Sequence, residues 1–333
     1  MSDLVSIASG AVSIYQRALA TVSNNIANVD TEGYTRQELD QKENNTRQYG
    51  TSFFGTGAYL AGVERQYDAF AEGNLRRSFS DLEVQRSILA YSNRVVDLLG
   101  DEDIGLLSAF DKFFSSAKKL STDPASNIMR NAFLSDSDGL ANQFRSLSGQ
   151  LELIEKETED GIRAELRKIN SLTGQLATVN KQLSRASSTS DQPPELLDTR
   201  DLLLRELSQL VKNTVTEQTS GVVNISLGTN SSQGVILSGV DARNLTATID
   251  EKNVGRITFN IDPQSATREV AVGLSGGTLG GLVEFRKKVL HTVYSELDNL
   301  AKSFVSEVNK IHQEGLDAYG KKGADLFSLN PKF

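Results

Sequence analysis

One arrangement in the sequence could form a nucleophilic active site. Residues 273–277 read G-L-S-G-G and match the G-x-S-x-G pattern, which places a serine on a tight turn between a strand and a helix. Such a site needs a parallel sheet and a histidine base on a later loop. The strands predicted here are antiparallel, and both histidines, His291 and His312, fall within the following helix. A glycine turn between a strand and a helix is therefore favoured over a hydrolase that uses Ser275.

Metal and thiol chemistry have even less support. Residues 101–105 (D-E-D-I-G) and 136–139 (D-S-D-G) resemble parts of calcium loops, but they lack the later oxygen ligands and the bidentate glutamate. Turns that cap helices explain them better. The chain has no cysteine, which removes disulfides, thiolate metal sites and cysteine nucleophiles. We therefore predict a protein that is not an enzyme, with no catalytic, cofactor-binding or metal-binding residues.

Charge and hydropathy argue against binding to nucleic acid and against insertion into a membrane. Lys plus Arg number 35 and Asp plus Glu number 43, so the formal net charge of -8 opposes contact with a phosphate backbone. The short basic run at residues 286–288 is predicted to lie on a solvated helix face. No stretch approaches the ~18 consecutive apolar residues of a membrane span, and Asp3 and Arg17 do not fit a secretory signal peptide.

The N-terminal segment carries the most regular helical pattern. Over residues 3–28, apolar side chains recur at alternating spacings of three and four, which is typical of a coiled-coil seam. The seam positions that we expect to form an assembly interface are Val5, Val12, Leu19, Val22 and Ile26. A second apolar stripe beside the seam consists of Leu4, Ile7, Ala11, Ile14 and Ala18. Such a helix needs more than one neighbour, and the alternative explanation is an ordinary buried bundle helix.

The remaining elements follow from changes in hydrophobic period. Residues 29–65 lose the period and are rich in glycine and polar residues, which predicts a long loop. Helices are predicted over residues 68–99, 106–120, 125–186, 196–211 and from 279 onward. Strands with a period of two are predicted over residues 214–218, 222–227, 235–237, 245–249, 256–261 and 269–274.

These elements predict a mainly α protein with a small antiparallel β domain. The helices are expected to build an elongated, coiled-coil-like rod. We predict an N-terminal assembly helix and loop (1–65), a helical rod (66–212 plus 279–314), an inserted β domain (213–278) and the start of a C-terminal region (315–333). The length of 333 residues is compatible with roughly two domains by size alone.

Residues 23–37, SNNIANVDTEGYTRQ, closely resemble the signature of flagellar axial proteins of the rod, hook and junction. In this segment Asn28 is expected to close the helix in a left-handed conformation, and Gly33 to supply a positive φ. Tyr34 offers an amphipathic anchor beside the charged Arg36. Together with Asn25, these residues complete the predicted assembly interface.

Further segments resemble the family of the first flagellar hook-associated protein. Residues 57–76 look like the family's entry into its second helix, and 196–207 resemble its LLDxRDxLxxxL helix, in which Asp201 and Arg205 can pair one turn apart. Residues 276–282 and 315–320, with Phe327, match its return helix and the segment beyond. The motifs occur in the family's order along essentially the whole chain.

The resemblance implies a structural protein, without catalysis, at the junction between hook and filament. Such a protein forms a ring of identical subunits between the hook protein and the second hook-associated junction protein. It is secreted by the flagellar type III export apparatus, with an export chaperone, and it lies outside the cell on the flagellum. A chain without cysteine fits passage in an unfolded state through a narrow conduit.

Members of this family continue past the position of Phe333, with further sheet and a final helix that pairs with the N-terminal helix. The resemblance therefore implies that the partner of the seam lies outside this sequence. As given, the chain is expected to have a poorly ordered N-terminal segment when isolated and impaired ring assembly, and the chaperone site is expected to be missing.

Three alternatives stay open. Another axial protein, of the hook or rod, would share the motif at residues 23–37, although the LLDxRD helix and the long heptads favour a junction protein. A hydrolase would lose ester turnover on substitution of Ser275 by Ala. A free coiled-coil adaptor would bind no flagellar component.

Overall fold

The computed structural model describes residues 2–100, 105–227, 234–250, 253–262, 274–317 and 319–329. The α-helices in these ranges are α1 (Ser2–Ala27), α2 (Ala69–Gly100), α3 (Leu106–Thr122), α4 (Asn127–Leu183), α5 (Pro194–Leu210), α6 (Gly277–Phe285) and α7 (His291–Glu314). A 3-10 turn, Thr189–Asp191, precedes α5, and a π-helical turn, Arg286–Leu290, joins α6 to α7.

The strands are short, and the pairs whose register is described are antiparallel. They are β1 (Gln37–Glu43), β2 (Arg47–Tyr49), β3 (Ser52–Phe54), β4 (Ala58–Arg65), β5 (Asn213–Glu217), β6 (Val223–Leu227), β7 (Val235–Ser238), β8 (Asp241–Ala242), β9 (Asn244–Ile249) and β10 (Ile257–Asp262). Strands β5 to β8 form a four-stranded sheet in sequential order, and β9 pairs with β10. The predicted mainly α fold with a small antiparallel β part is confirmed. The predicted strand at 269–274 falls almost entirely outside the described residues.

The long loop predicted over residues 29–65 is wrong. Strand β1 pairs with β4, with Gln37 opposite Arg65 and a bulge after Asp40, and β2 pairs with β3 inside this outer pair. We call residues 37–65 the N-terminal hairpin. Its first strand reads Q-E-L-D-Q-K-E, which has too few apolar residues for a visible period of two, so backbone pairing and contact with α1 stabilise a strand that its own side chains do not indicate.

The chain divides into two compact units. The first comprises Met1–Leu82, Arg167–Thr246 and Asn260–Gly277, and the second comprises Glu83–Leu166, Ala247–Phe259 and Thr278–Phe333. Helices α2 and α4 each continue from one unit into the other. The four-part division predicted from the sequence stays a prediction.

In the first unit, the C-terminal part of α4 and helix α5 both contact the four-stranded sheet. Fully or almost fully buried side chains of this unit are Ile169, Leu176, Leu183, Leu204, Leu207, Val223, Ile225 and Leu237. The buried Asn180 of α4 accepts a hydrogen bond from the N–H of Val223 at 3.0 Å and donates to its carbonyl at 2.7 Å. Asn170 bonds both backbone groups of Leu245 in the same way, so two side chains of α4 fix the β segment.

The second unit has its own core. One apolar cluster of this core consists of Val95, Leu98, Leu147, Leu151, Ile154, Val254, Phe285 and Leu290. Arg286 is fully buried here and donates to the carbonyls of Val254 and Glu155. Burial lowers the pKa of its guanidinium, and nearby Glu155 opposes this. The solvated face predicted for residues 286–288 is therefore wrong for Arg286 and right for Lys287 and Lys288, which are exposed.

Candidate assembly site

The seam of α1 is open along its whole length. The exposed fractions of its side chains run from 51% at Val22 and 56% at Val12 to 68% at Leu19 and 69% at Val5 and Ile26. No other described segment covers them. Among the described residues, the seam is therefore not the buried core of a helical bundle.

The second stripe of α1 has a neighbour, which is the N-terminal hairpin. Helix α1 contacts both β1 and β4, and Ile14 is 7% exposed. Gly57, in the turn before β4, lies directly against the side chain of Ile7. Packing of one stripe leaves the other free, so α1 has an inner face on the hairpin and an outer face available to a partner.

Asn25 fastens the end of α1 to the first residue of β1. Its Nδ2 atom donates to the carbonyl of Gln37 at 2.8 Å, and its Oδ1 atom accepts from the N–H of Gln37 at 2.9 Å. The same Oδ1 accepts from the hydroxyl of Tyr34 at 2.7 Å. Burial raises the pKa of Tyr34, with further contributions from Asp198 and Glu195, so the hydroxyl stays a donor.

Of two turn residues with predicted conformations, Gly33 has the predicted one and Asn28 does not. Gly33 has a φ of 82°, a conformation that glycine adopts more easily than other residues. It also lies against the side chain of Leu202 of α5. Asn28 is not left-handed, because no non-glycine residue in the described part of the chain has a positive φ. Instead, its side chain donates to the carbonyl of Asn24 at 3.0 Å, and this carbonyl also accepts from the backbone N–H of Asn28 at 3.1 Å.

A buried cluster of ion pairs joins the hairpin to α5, and the sequence analysis missed its role. Arg65, the last residue of β4, lies 2.8 Å from Asp198 and 2.6 Å from Asp201. Asp201 also pairs with Arg200 at 2.7 Å, and Arg200 in turn reaches Glu217 of β5 at 2.6 Å. Helix α5 therefore links the hairpin to the four-stranded sheet through charged side chains.

The partner predicted for Arg205 is wrong. Both its Nε and Nη2 atoms bond the carboxylate of Glu72, each at 2.7 Å, rather than Asp201 one turn away on α5. Glu72 is 6% exposed, and this two-point geometry holds the start of α2 against α5. The signal that could have found these contacts was the charged LLDTRD pattern itself, because its charged residues lie among leucines of α5 that are buried, which are Leu197, Leu203, Leu204 and Leu207.

Between α1 and β1 lies a groove of about 800 Å³. Its lining comes from the C-terminal part of α1, from the turn after α1 and from the start of β1. The lining residues are Ala18, Thr21, Val22, Asn25, Ile26, Val29, Tyr34, Arg36, Gln37, Glu38 and Leu39. Arg36 is exposed and lies 3.4 Å from Glu38. The structure thus brings five of the ten predicted interface residues to this groove, which are Val22, Asn25, Ile26, Tyr34 and Arg36.

Ser275 lies in a turn whose glycines have a packing role. Gly276 and Gly277 have φ values of 79° and 63°, and a Cβ atom on Gly277 would lie 2.2 Å from the backbone of Leu210. The N–H of Lys212 donates to the carbonyl of Ser275 at 3.1 Å. The turn closes against the end of α5, which accounts for the G-x-S-x-G pattern without a nucleophile.

The described ranges contain neither a metal-binding cluster nor a membrane-spanning helix. They contain no cluster of three or more His, Asp or Glu side chains that could hold a metal ion. None of their helices is both long and apolar enough to cross a bilayer.

Known proteins with similar sequences are components of flagella. Residues 92–327 match the family model described as the helical domain of flagellar hook-associated protein FlgK, and residues 6–35 match a model of the flagella basal body rod protein. The chain is 32% identical to flagellar hook-associated protein 1 of Salmonella typhimurium and 31% identical to that of Escherichia coli, in each case over 99% of this chain and 60% of the relative. The chain thus spans about 60% of the length of these relatives.

A solved structure of a flagellar protein has a similar fold. The flagellar hook junction protein FlgK from Burkholderia pseudomallei superposes with a TM-score of 0.67 at 25% identity, over 76% of this chain and 46% of that one. The matched helical domain begins within α2 and ends beyond α7, so it includes α5 and its ion-pair cluster.

Proposed function

The chain belongs to the FlgK family of flagellar hook-associated proteins, and on that premise we propose that it is a structural subunit of the junction between hook and filament. The observation that carries the proposal is the open seam of α1, which is held in place by Asn25 and Tyr34. A helix with an exposed heptad seam gains stability by packing against another helix. The match of residues 6–35 to a rod protein supports an axial role for this segment.

The seam would act through burial of apolar surface. Each Val, Leu or Ile side chain that moves from water into a helix interface contributes about 1.5–3 kcal/mol. The predicted interface residues Val5, Val12, Leu19, Val22 and Ile26 lie on one side of α1, and the hairpin already fixes the other side. Because α1 is held before the partner arrives, less conformational entropy is lost on assembly.

The remaining features of this role come from the family. We propose that copies of the chain assemble as a ring that contacts the hook protein on one side and the second hook-associated protein on the other. Export by the flagellar type III apparatus, with an export chaperone, would place the protein outside the cell. The absence of cysteine is compatible with this route, since no disulfide can form before export. No catalytic step is part of the proposal.

Gene replacement tests the role. In a flagellated bacterium, residues 1–333 of this protein replace the corresponding part of the resident hook-filament junction protein, whose remaining C-terminal part is kept, and filaments should attach to hooks. Ile26→Asp should abolish attachment, because a carboxylate in an apolar helix interface is costly. Ser13→Asp is the matched control, since Ser13 is exposed on the side of α1 away from both stripes.

Microscopy of attached filaments and the amount of flagellin in the medium provide the measurements. The expected result is a loss of filaments and a gain of free flagellin for Ile26→Asp only. Attached filaments with Ile26→Asp, at normal export, would refute the role of the seam. Failure of the unsubstituted, exported protein to support attachment would favour another axial role or a free adaptor.

A further inference from the structure

Helix α1 and the N-terminal hairpin form one body, which we call the arm (residues 2–65). Asn25 fastens the C-terminal end of α1 to Gln37 at the start of β1. Toward the other end of α1, the side chain of Ile7 packs against Gly57 in the turn before β4. Because the helix is tied to the hairpin near both of its ends, a movement of one part of the arm carries the other part with it.

One end of the arm, which we call its base, contacts α5. There Gly33 lies against Leu202, and the N–H of Thr35 donates to Asp198 Oδ2 at 3.2 Å. Strand β4 also contacts the 3-10 turn that precedes α5. The covalent link from β4 to α2 is short and consists of residues 66–68. The contacts at the base therefore decide the direction of the arm.

Arg65 lies at the centre of the base, and its contacts with α5 are polar and buried. Its Nη2 atom donates to Asp201 Oδ2 at 2.6 Å and to the hydroxyl of Thr35 at 3.1 Å. The other oxygen of Asp201 accepts two hydrogen bonds from Arg200, so this carboxylate has a fixed position. A planar guanidinium that bonds fixed partners permits few orientations, and Arg65 therefore restricts the direction of the arm.

The second carboxylate at the base is less well aligned. Arg65 Nε and Asp198 Oδ1 lie 2.8 Å apart, but neither atom has a hydrogen-bond partner among the described residues. Their contact is thus an ion pair without the angle that a hydrogen bond needs. The base combines one well-aligned contact, with Asp201, and one poorly aligned contact, with Asp198. Both depend on Arg65, so removal of this side chain should free the base.

As an extension of the proposed assembly role, we propose that Arg65 is a positioning residue that sets the direction of α1 through Asp198 and Asp201. A buried ion pair adds little net stability compared with apolar contacts of the same shape, but it can fix one arrangement among several. Without Arg65, the arm should turn about residues 66–68 as one body while α1 and the hairpin stay folded. Since α1 has 26 residues and is about 39 Å long, a rotation of about 10° at the base moves its far end by about 7 Å. A displaced seam would miss its partner in the assembly.

Distances between spin labels test the proposal, because the chain has no cysteine of its own. Ser6→Cys with Gln182→Cys measures the far end of the arm against α4 of the same unit. Ser23→Cys with Glu43→Cys measures a distance within the arm. All four positions are exposed. Both pairs should give narrow distance distributions in the otherwise unsubstituted chain, and Arg65→Met should broaden the first and leave the second narrow.

Variants of the arginines give the size of the effect. The ratio of docked to released arms should fall about tenfold or more in Arg65→Met, because charged hydrogen bonds are lost and buried carboxylates remain. Arg65→Lys keeps the charge without the planar group and should give an intermediate distribution. Arg36→Met is the matched control, since Arg36 is exposed and pairs with Glu38 rather than with α5, and it should change neither distance.

Two outcomes of the distance measurement would overturn the positioning role. A first distance that stays narrow in Arg65→Met would show that other contacts set the direction of the arm. Broadening of both distances would show that Arg65 keeps the arm folded instead of positioning it.

The gene-replacement test connects the direction of the arm with assembly. At normal export, Arg65→Met should lose attached filaments, Arg65→Lys should retain some, and Arg36→Met should retain all. Normal attachment with Arg65→Met would overturn the link to assembly, while loss of filaments with Ile26→Asp would still support the proposed function. Attached filaments with Ile26→Asp would remove the proposed function itself, and the spin-label distances would still decide whether Arg65 positions the arm.

Discussion

The side chain of Asn25 holds the backbone of Gln37 as a neighbouring strand would, with one hydrogen bond to its carbonyl at 2.8 Å and one from its N–H at 2.9 Å. Asn180 holds Val223 by the same pair of bonds. A strand next to a helix has backbone groups that the helix backbone cannot satisfy. The side-chain amide of an asparagine on the helix carries both a donor and an acceptor. It can therefore bond the carbonyl and the N–H of the same strand residue.

Removal of the Asn25 side chain should loosen the N-terminal hairpin. Asn25→Ala leaves the backbone of Gln37 and the hydroxyl of Tyr34 without these partners, and we expect the free energy of unfolding to fall by about 1–3 kcal/mol. Urea denaturation measures the loss, and hydrogen exchange at the Gln37 amide should become faster. Asn45→Ala, at an exposed position in the same hairpin, should have little effect. Equal effects of the two variants would show that the paired bonds do not stabilise the hairpin.

The sequence predicted the long helices closely because their signals are repeated many times. The apolar period predicted both ends of α1 to within about two residues. The proline pair at Pro193 and Pro194 predicted the start of α5 with the same accuracy. In contrast, β1 is polar and depends on β4 and α1 for its conformation, so no local pattern could indicate it. Strand pairing between residues distant in sequence is decided by tertiary contacts that a short window does not contain.

The assembly interface itself stays a prediction, but some of its local features can be compared with the structure. The seam and the turn residues were identified by spacing and resemblance, and Gly33 has the expected positive φ. The pairing of Arg65 with Asp198 and Asp201 was not predictable, because it joins residues more than 130 positions apart. Charge patterns within one helix suggested the local pair of Asp201 with Arg205, whereas burial favoured partners from other elements.

Replacement of Asp201 should strongly lower the free energy of unfolding, because two buried arginines then lose the carboxylate that they share. Arg65 and Arg200 have side chains that are 7% and 2% exposed. Removal of one member of a buried ion cluster costs about 3–5 kcal/mol, and we expect this loss for Asp201→Ala. Glu157→Ala breaks the exposed pair with Arg94 and should cost less than about 1 kcal/mol. Thermal and urea unfolding measure the stability of both variants. A small loss of stability for Asp201→Ala would mean that water or neighbouring carboxylates take over the contacts of the Asp201 carboxylate.

Two glycine substitutions should act in opposite directions. Gly277→Ala introduces a Cβ atom 2.2 Å from the backbone of Leu210 at a φ of 63°, so the turn has to move and we expect a protein that is poorly soluble or strongly destabilised. Gly149→Ala, within α4, meets no atom within 4 Å and should raise the free energy of unfolding by about 0.5–1 kcal/mol. Soluble yield and thermal unfolding measure both changes. A normal Tm for Gly277→Ala would contradict the close contact with α5.

Stability should decrease in alkali through Tyr294. Burial raises the pKa of its hydroxyl in the folded state, and Glu155, which accepts a hydrogen bond from it, adds to the rise. Below the ordinary tyrosine pKa of about 10, both states are protonated and the stabilisation is complete. Above that pH the unfolded chain loses the proton first, so the free energy of unfolding falls as pH rises toward the folded pKa.

The variant Tyr294→Phe should therefore show a shallower loss of stability between about pH 10 and pH 11.5 than the unsubstituted chain. Tyr319→Phe is the matched control because the side chain of Tyr319 is 96% exposed, and it should follow the unsubstituted curve. Urea midpoints at each pH provide the comparison. Parallel curves for Tyr294→Phe and the unsubstituted chain would show that other groups cause the alkaline loss.

Single cysteines can report directly on the two faces of α1, since the chain has none of its own. Leu19→Cys lies on the open seam, where the native side chain is 68% exposed, and Ile14→Cys lies on the inner face, where it is 7% exposed. In the isolated chain, a maleimide should modify position 19 rapidly and position 14 slowly. In flagella purified with the junction intact, position 19 should become as slow as position 14, because a partner helix covers the seam. Rapid modification of position 19 in both states would place the assembly contact elsewhere on the molecule, whereas slow modification in the isolated chain would mean that the seam is already covered before assembly.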